Sequence, residues 1–185
     1  MMVHEIILSG FGGQGVMLMG QLLTQAGLEE GKEVSWIPSY GPEMRGGTAY
    51  CSVKISDVLI GSPVVTHPNV VVAMNLPSLH KFEKLLVPGG TMIISESLAP
   101  ERSERTDIRQ LSIPLNELAV ERNNSKVINL IGLGAILAAV APVSEEALFK
   151  AMNRIFGKKF AEKPQLLELN KQAFQTGYSY VEKSE

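Results

Sequence analysis

The stretch His4-Glu5-Ile6-Ile7-Leu8-Ser9-Gly10-Phe11-Gly12-Gly13-Gln14-Gly15 constrains the fold more than any other, because an apolar run breaks there into four glycines. It reads as a first strand feeding a tight turn, and Val16 to Leu23 then carries apolar residues suited to a helix packed on a sheet. Gly10, Gly12 and Gly15 have the G-x-G-x-x-G spacing. At such a turn, the free N–H groups and the dipole of the helix start favour an anion, a phosphate above all. The same glycines also serve simply to let the helix lie close to the strand. A nicotinamide dinucleotide site would further need an acidic residue after the second strand, about 20 residues on, to hold the ribose hydroxyls. The chain offers Trp36-Ile37-Pro38-Ser39 there, with Glu33 before it and Glu43 beyond it. Ordinary dinucleotide binding therefore ranks below close packing.

A length of 185 residues suits one domain, 1–185, with a single sizeable core. The formal charge of −2 and the scattered Lys and Arg give no basic field for a nucleic acid and no basic amphipathic helix for a membrane surface. Cys51 is the only cysteine, which excludes an internal disulfide and an iron–sulfur or cysteine-rich zinc site built from this chain alone. The N-terminus goes straight into a strand pattern, and the apolar segment from Val127 to Val143 is short for a bilayer and holds Asn129 and Pro142. The expectation is a soluble, cytoplasmic chain with neither nucleic-acid nor membrane partner. Its 45% hydrophobic residues and eight methionines fit a well-filled core, and failing that a surplus apolar face for a partner.

Further along, a first helix is expected from Gln14 to Glu30, ended by Gly31, then a second strand, Glu33 to Ile37, parallel to the first through a right-handed crossover. Residues 38–47 form a loop dense in turn formers around Glu43 and Arg45. Thr48 to Ile55 alternates as a half-exposed strand would, with Ala49, Cys51, Val53 and Ile55 inward and Tyr50, Ser52 and Lys54 outward. Cys51 is then a small core side chain rather than a nucleophile, as no basic residue flanks it. Val70 to Met74 reads as a strand buried on both faces and Asn75-Leu76-Pro77-Ser78 as a helix start; Thr91 to Ser95 and Ile108 to Leu115 are further strands. Leu115 to Arg122 is helix-like. Lys126 to Ala141 is a strongly apolar helix pressed on the sheet, in which Asn129, Gly132 and Gly134 stand out. Helical glycines cost about 1 kcal/mol each against alanine, so close packing on a neighbour should compensate them. Ser144 caps a helix ended by Gly157, and Pro164 opens a last helix running toward Gly177. His4, His67 and His80 stand alone, so no metal or catalytic cluster forms around them. The fold class that results is α/β: one three-layer domain with a mainly parallel, Rossmann-like sheet and an antiparallel hairpin insertion around residues 48 to 65.

Three segments together, Gly10-Phe11-Gly12-Gly13-Gln14-Gly15, Ser39-Tyr40-Gly41-Pro42-Glu43-Met44-Arg45-Gly46-Gly47 and Asn170-Lys171-Gln172-Ala173-Phe174-Gln175-Thr176-Gly177, resemble the gamma subunit of the 2-oxoacid:ferredoxin oxidoreductases. The resemblance covers nearly the whole chain, and the second segment is the more specific. It implies a subunit of a complex that oxidatively decarboxylates a 2-oxoacid, joins the acyl group to coenzyme A and reduces ferredoxin. In that reading, thiamine diphosphate and the iron–sulfur clusters belong to alpha, beta or ferredoxin-like delta partners. This chain alone binds no cofactor, supplies no catalytic residue and lies on the coenzyme A side. Gly10, Gly12, Gly13, Gln14 and Gly15, with Glu43, Met44, Arg45, Gly46 and Gly47, are the binding residues so implied. Coenzyme A brings phosphates that need N–H donors and a cation, which the glycine turn and Arg45 supply. The alternative for the second segment is that Glu43 pairs with Arg45 and merely holds the loop at a subunit interface. On general resemblance 2-oxoglutarate or a branched-chain oxoacid is favoured over pyruvate, and the isolated chain can self-associate through the face meant for its partners. Competing readings are the small subunit of indolepyruvate:ferredoxin oxidoreductase, a free-standing nucleotide-binding module and a structural spacer.

Overall fold

A computed structural model describes residues 3–40, 48–122 and 124–184. The chain runs β1 (Val3–Phe11), α1 (Val16–Glu29), β2 (Glu33–Tyr40), β3 (Thr48–Ser56), β4 (Val70–Ala73), α2 (Leu76–Phe82), β5 (Thr91–Ser95), β6 (Arg109–Ile113) and α3 (Leu115–Glu121). A 3-10 turn at Ser125–Val127 leads into α4 (Ile128–Val140), followed by α5 (Glu145–Glu162) and α6 (Gln165–Ser184). The strand order is β2-β3-β1-β4-β5-β6. The β1–β4, β4–β5 and β5–β6 pairs are parallel, while β3 pairs antiparallel with both β1 and β2. The sheet is therefore mainly parallel with helices on both faces, as expected.

The alternation of side chains along each strand divides the core in two. Ile6, Leu8, Val70, Val72 and Ile93 point into the larger half, under α1, α4, α5 and α6. Ile7, Val71, Ala73, Met92 and Ile94 point into the smaller half, against Leu79 and Phe82 of α2. Every residue of β4 is buried, which suits its unbroken Val-Val-Val-Ala run.

Several expectations need correction. The second strand does run parallel to β1, but β3 lies between them, and the hairpin arms are β2 and β3, with no strand over 57–65. β2 continues past Pro38 to Tyr40, which an edge strand tolerates because its outer side needs no N–H donor. The polar face of β3 is not half-exposed: Lys54 is 9% exposed, and its Nζ meets Glu5 Oε1 at 2.6 Å. Gly157 and Gly177 do not end helices, since α5 and α6 run through them. By contrast, Asn75 caps α2 by accepting from the Ser78 amide at 2.9 Å, and Ser144 caps α5 by accepting from the Ala147 amide at 3.2 Å. The apolar helix α4 lies between β5 and α6, buried without a break from Asn129 to Leu137.

His4 is buried on β1. Burial, and after it the charge of Lys32, hold its imidazole below the ordinary value, with Asp57 pulling the other way. The folded chain thus takes up this proton at lower pH than the unfolded one, so its contribution to stability is complete above about pH 6.5 and is lost as the pH falls toward the folded value. His4→Gln is expected to flatten the decline of unfolding free energy on acidification below about pH 6.5 in denaturant titrations. The same decline in wild type and variant would place it on another group.

Candidate functional site at the glycine turn

The end of β1 and the start of α1 are joined by Gly12, Gly13, Gln14 and Gly15. Gly13 has φ 97° and Gly15 φ 79°, left-handed values that a side chain resists. Gly15 is the N-cap of α1; it gives no side-chain cap, and no acid stands in the first turn, so nothing in the sequence there competes with an anion for the helix start. Among the described residues nothing stands where a Cβ on Gly13 would lie, whereas a Cβ on Gly15 would press on the Asn129 side chain at 2.9 Å. Gly12 and Gly13 are exposed, and Gly15 is half-buried.

Gly10 is placed differently, inside β1 and buried. A Cβ there would meet Met74 Cβ at 2.8 Å, so its bareness permits the close crossing of β1 and the end of β4. Gln14 turns inward. Its Oε1 accepts from the Phe11 amide at 2.6 Å and its Nε2 donates to the Met74 carbonyl at 3.1 Å, tying the turn to the neighbouring strand end. Among the described residues its amide is thus engaged by the protein itself. Gln14→Ala would leave that amide and that carbonyl unsatisfied, and a loss of about 1–3 kcal/mol is expected in chemical denaturation. A loss of a few tenths would show the turn to be held by its backbone alone.

Glu43, Met44, Arg45, Gly46 and Gly47 lie outside the described residues. The strand ends that flank them do not. Thr48 pairs with Phe11, and Tyr40 pairs with Ala49, so both ends of that connection leave the sheet at the edge where the glycine turn begins.

The same edge holds polar groups that sequence reasoning passed over. Asn75 Nδ2 just after β4, Ser78 Oγ in the first turn of α2 and Ser95 Oγ at the last residue of β5 are buried without hydrogen-bond partners among the described residues. Unspent buried donors are costly and uncommon away from functional sites. Their only sequence signal was position, at or just past the carboxyl ends of strands buried on both faces. Asn129, noted as an odd residue in an apolar helix, packs against the turn through Gly15. The exposed, uncapped helix-start amides behind Gly12 and Gly13 fit a phosphate-bearing ligand.

Cys51 plays no part here. Burial pushes its thiol up to about 11, beyond what the nearby Trp36 indole and Gly20 backbone offset, and its Sγ lies 3.4 Å from the Val16 carbonyl oxygen. A thiol held protonated in this way is a core side chain. His80 is more than half exposed, with Glu83 3.6 Å from Nδ1 and Glu101 3.5 Å from Nε2. Among the described residues no group of three His, Cys, Asp or Glu is arranged to hold a metal, and no helix is long and apolar enough to cross a membrane.

Residues 5–180 match the family described as pyruvate ferredoxin/flavodoxin oxidoreductase. The chain is 34% identical over 180 residues to the 2-oxoglutarate synthase subunit KorC of Methanocaldococcus jannaschii, covering 96% of this chain and 93% of that one. It is 30% identical over 193 residues to the pyruvate synthase subunit PorC of Thermotoga maritima, covering 98% and 96%. The ketoisovalerate oxidoreductase subunit VorA of Methanothermobacter marburgensis is 35% identical over 180 residues, but the chain spans only 37% of that protein's length. Among solved structures, the gamma subunit of a keto/oxoacid ferredoxin oxidoreductase from Geobacter sulfurreducens superposes with a TM-score of 0.80 at 29% identity, covering 96% of this chain and 98% of that one. The chain belongs to the pyruvate ferredoxin/flavodoxin oxidoreductase family and is a gamma-type domain of the 2-oxoacid:ferredoxin oxidoreductases.

Proposed function

We propose that this chain is the gamma component of a thiamine diphosphate-dependent complex that oxidatively decarboxylates a 2-oxoacid, transfers the acyl group to coenzyme A and reduces ferredoxin. Thiamine diphosphate and the iron–sulfur clusters reside on partner subunits of the alpha, beta and ferredoxin-like kinds; this chain faces the coenzyme A side. The observation that carries the reading is the uncapped, acid-free start of α1 behind Gly12 and Gly13, at the sheet edge from which β2 ends and β3 begins. There, backbone N–H groups meet a pyrophosphate, and Arg45 pairs with its oxygens in a two-pronged contact. The relatives' names divide among ketoisovalerate, 2-oxoglutarate and pyruvate, which supports a 2-oxoacid as the substrate class. Within that class we favour 2-oxoglutarate or a branched-chain oxoacid.

The test is purification of the native complex with this chain as bait, followed by assay of ferredoxin reduction with each 2-oxoacid, with and without coenzyme A. The expected result is co-purification of larger subunits and reduction that needs both coenzyme A and this chain. Reduction that proceeds unchanged without the chain, or tight binding of NAD, FAD or ATP by the chain on its own, would overturn the reading.

A further inference from the structure

Directly behind the glycine turn, four helices line a half-open cavity of about 200 Å³ that no part of the proposed function uses. Leu18 of α1, Asn129 and Leu130 of α4, Phe156 and Phe160 of α5 and Asn170 of α6 contribute to its wall, and Lys126 and Lys159 stand at it. Asn129 is 7% exposed and contributes a polar carboxamide to this wall. The same carboxamide occupies the space that a Cβ on Gly15 would need, which places it beside the turn.

The chemistry of the wall is divided. Phe156 and Phe160 lie with ring centroids 5.8 Å apart and tilted by 55°, and with Leu130 they make an apolar side. The polar side has two lysines and two amides and no acid. Neither lysine is ion-paired among the described residues. α4 begins at this wall with no side-chain cap and no acid in its first turn, so its positive end adds to the lysines. The carboxyl end of α5 opposes them, and Lys159 in the last turn of α5 offsets it. Ligand pockets for whole cofactors commonly measure about 300–1,000 Å³, so this one suits a fragment rather than an entire coenzyme.

We infer that this cavity binds a small organic carboxylate with an aryl or branched alkyl body, its carboxylate between Lys126, Lys159 and Asn129 and its body against Phe156 and Phe160. The site is separate from the coenzyme A edge, and its test does not depend on that reading.

The probe is 3-phenylpropanoate, titrated into the full-length chain while the side-chain amide signals of Asn129 and Asn170 are followed by NMR. Binding of the order of 1 mM is expected for a ligand of this size, with both amide signals shifting. The uncharged 3-phenylpropanamide, and propanoate, which lacks the ring, should each bind about tenfold more weakly or worse. The double variant Lys126→Glu, Lys159→Glu changes only exposed side chains and should keep the fold while weakening 3-phenylpropanoate about tenfold or more. Unmoved Asn129 and Asn170 signals at saturating probe, or equal affinity in the double variant, would overturn the inference.

Discussion

Gly177→Ala is expected to unfold this chain at a temperature roughly 6–12 °C lower than the wild type, from a loss of about 3 kcal/mol. The reason is a backbone-to-backbone crossing. A Cβ on Gly177 would fall inside van der Waals contact of the Ile131 carbonyl oxygen and 2.7 Å from its carbon. From the other helix, a Cβ on Gly134 would strike the Phe174 carbonyl oxygen and stand 2.8 Å from the Tyr178 nitrogen. Both collisions are with main chain, which cannot turn aside as a side chain can, so α4 and α6 must separate. That separation also loosens Phe174, which is fully buried and stacks edge-on with Phe149 at 5.3 Å. Gly157→Ala is the control. This glycine also lies inside a helix, but open space surrounds it, and alanine there should stabilise by about 0.5–1 kcal/mol. Thermal melts of the two variants should therefore move in opposite directions. Equal shifts would mean that helix propensity, not the α4–α6 crossing, governs both positions.

The second large effect concerns function. Arg45→Ala in the assembled complex is expected to raise the Michaelis constant for coenzyme A about 30-fold, the equivalent of about 2 kcal/mol for a charge-assisted pair with phosphate. The turnover number should stay near the wild-type value, because a contact made equally in ground and transition states affects binding alone. Arg45 lies outside the described residues, and the prediction rests on its motif and on the pairing of Thr48 with Phe11 and of Tyr40 with Ala49 at the same end of the sheet. An intact complex with an unchanged Michaelis constant would leave Arg45 as a loop-holding partner of Glu43.

What could be read from the residues was what neighbouring residues decide among themselves. The glycine turn, the caps at Asn75 and Ser144 and the inward set Cys51, Val53 and Ile55 are all local, and the structure has them. What could not be read depended on partners distant in sequence. The alternation over residues 48–56 is the same whichever strand lies beside it, so the insertion of β3 between β1 and β2 left no local mark. Gly157 and Gly177 look alike as letters, and each resembles a helix end. Only the approach of Ile131 shows that Gly177 is a crossing point, while the intact α5 ladder carries Gly157 through.

The candidate site shows the same division. The motif names Gln14 without saying where its side chain goes; its amide bridges Phe11 and Met74, because Gly10 leaves room for it to fold back. Asn129 drew notice only as a polar residue in an apolar helix. Its contact with Gly15 depends on how α4 crosses α1, which no local pattern encodes.

The proposed placement of coenzyme A is tested most directly by amide hydrogen exchange on the assembled complex, with and without coenzyme A, read at peptides spanning Gly10 to Met19. Slower exchange over Gly12 to Leu18 when coenzyme A is added is the predicted result, since the start of α1 then gives its free N–H groups to phosphate. Identical exchange over those residues at saturating coenzyme A, with protection confined to other subunits, would contradict it.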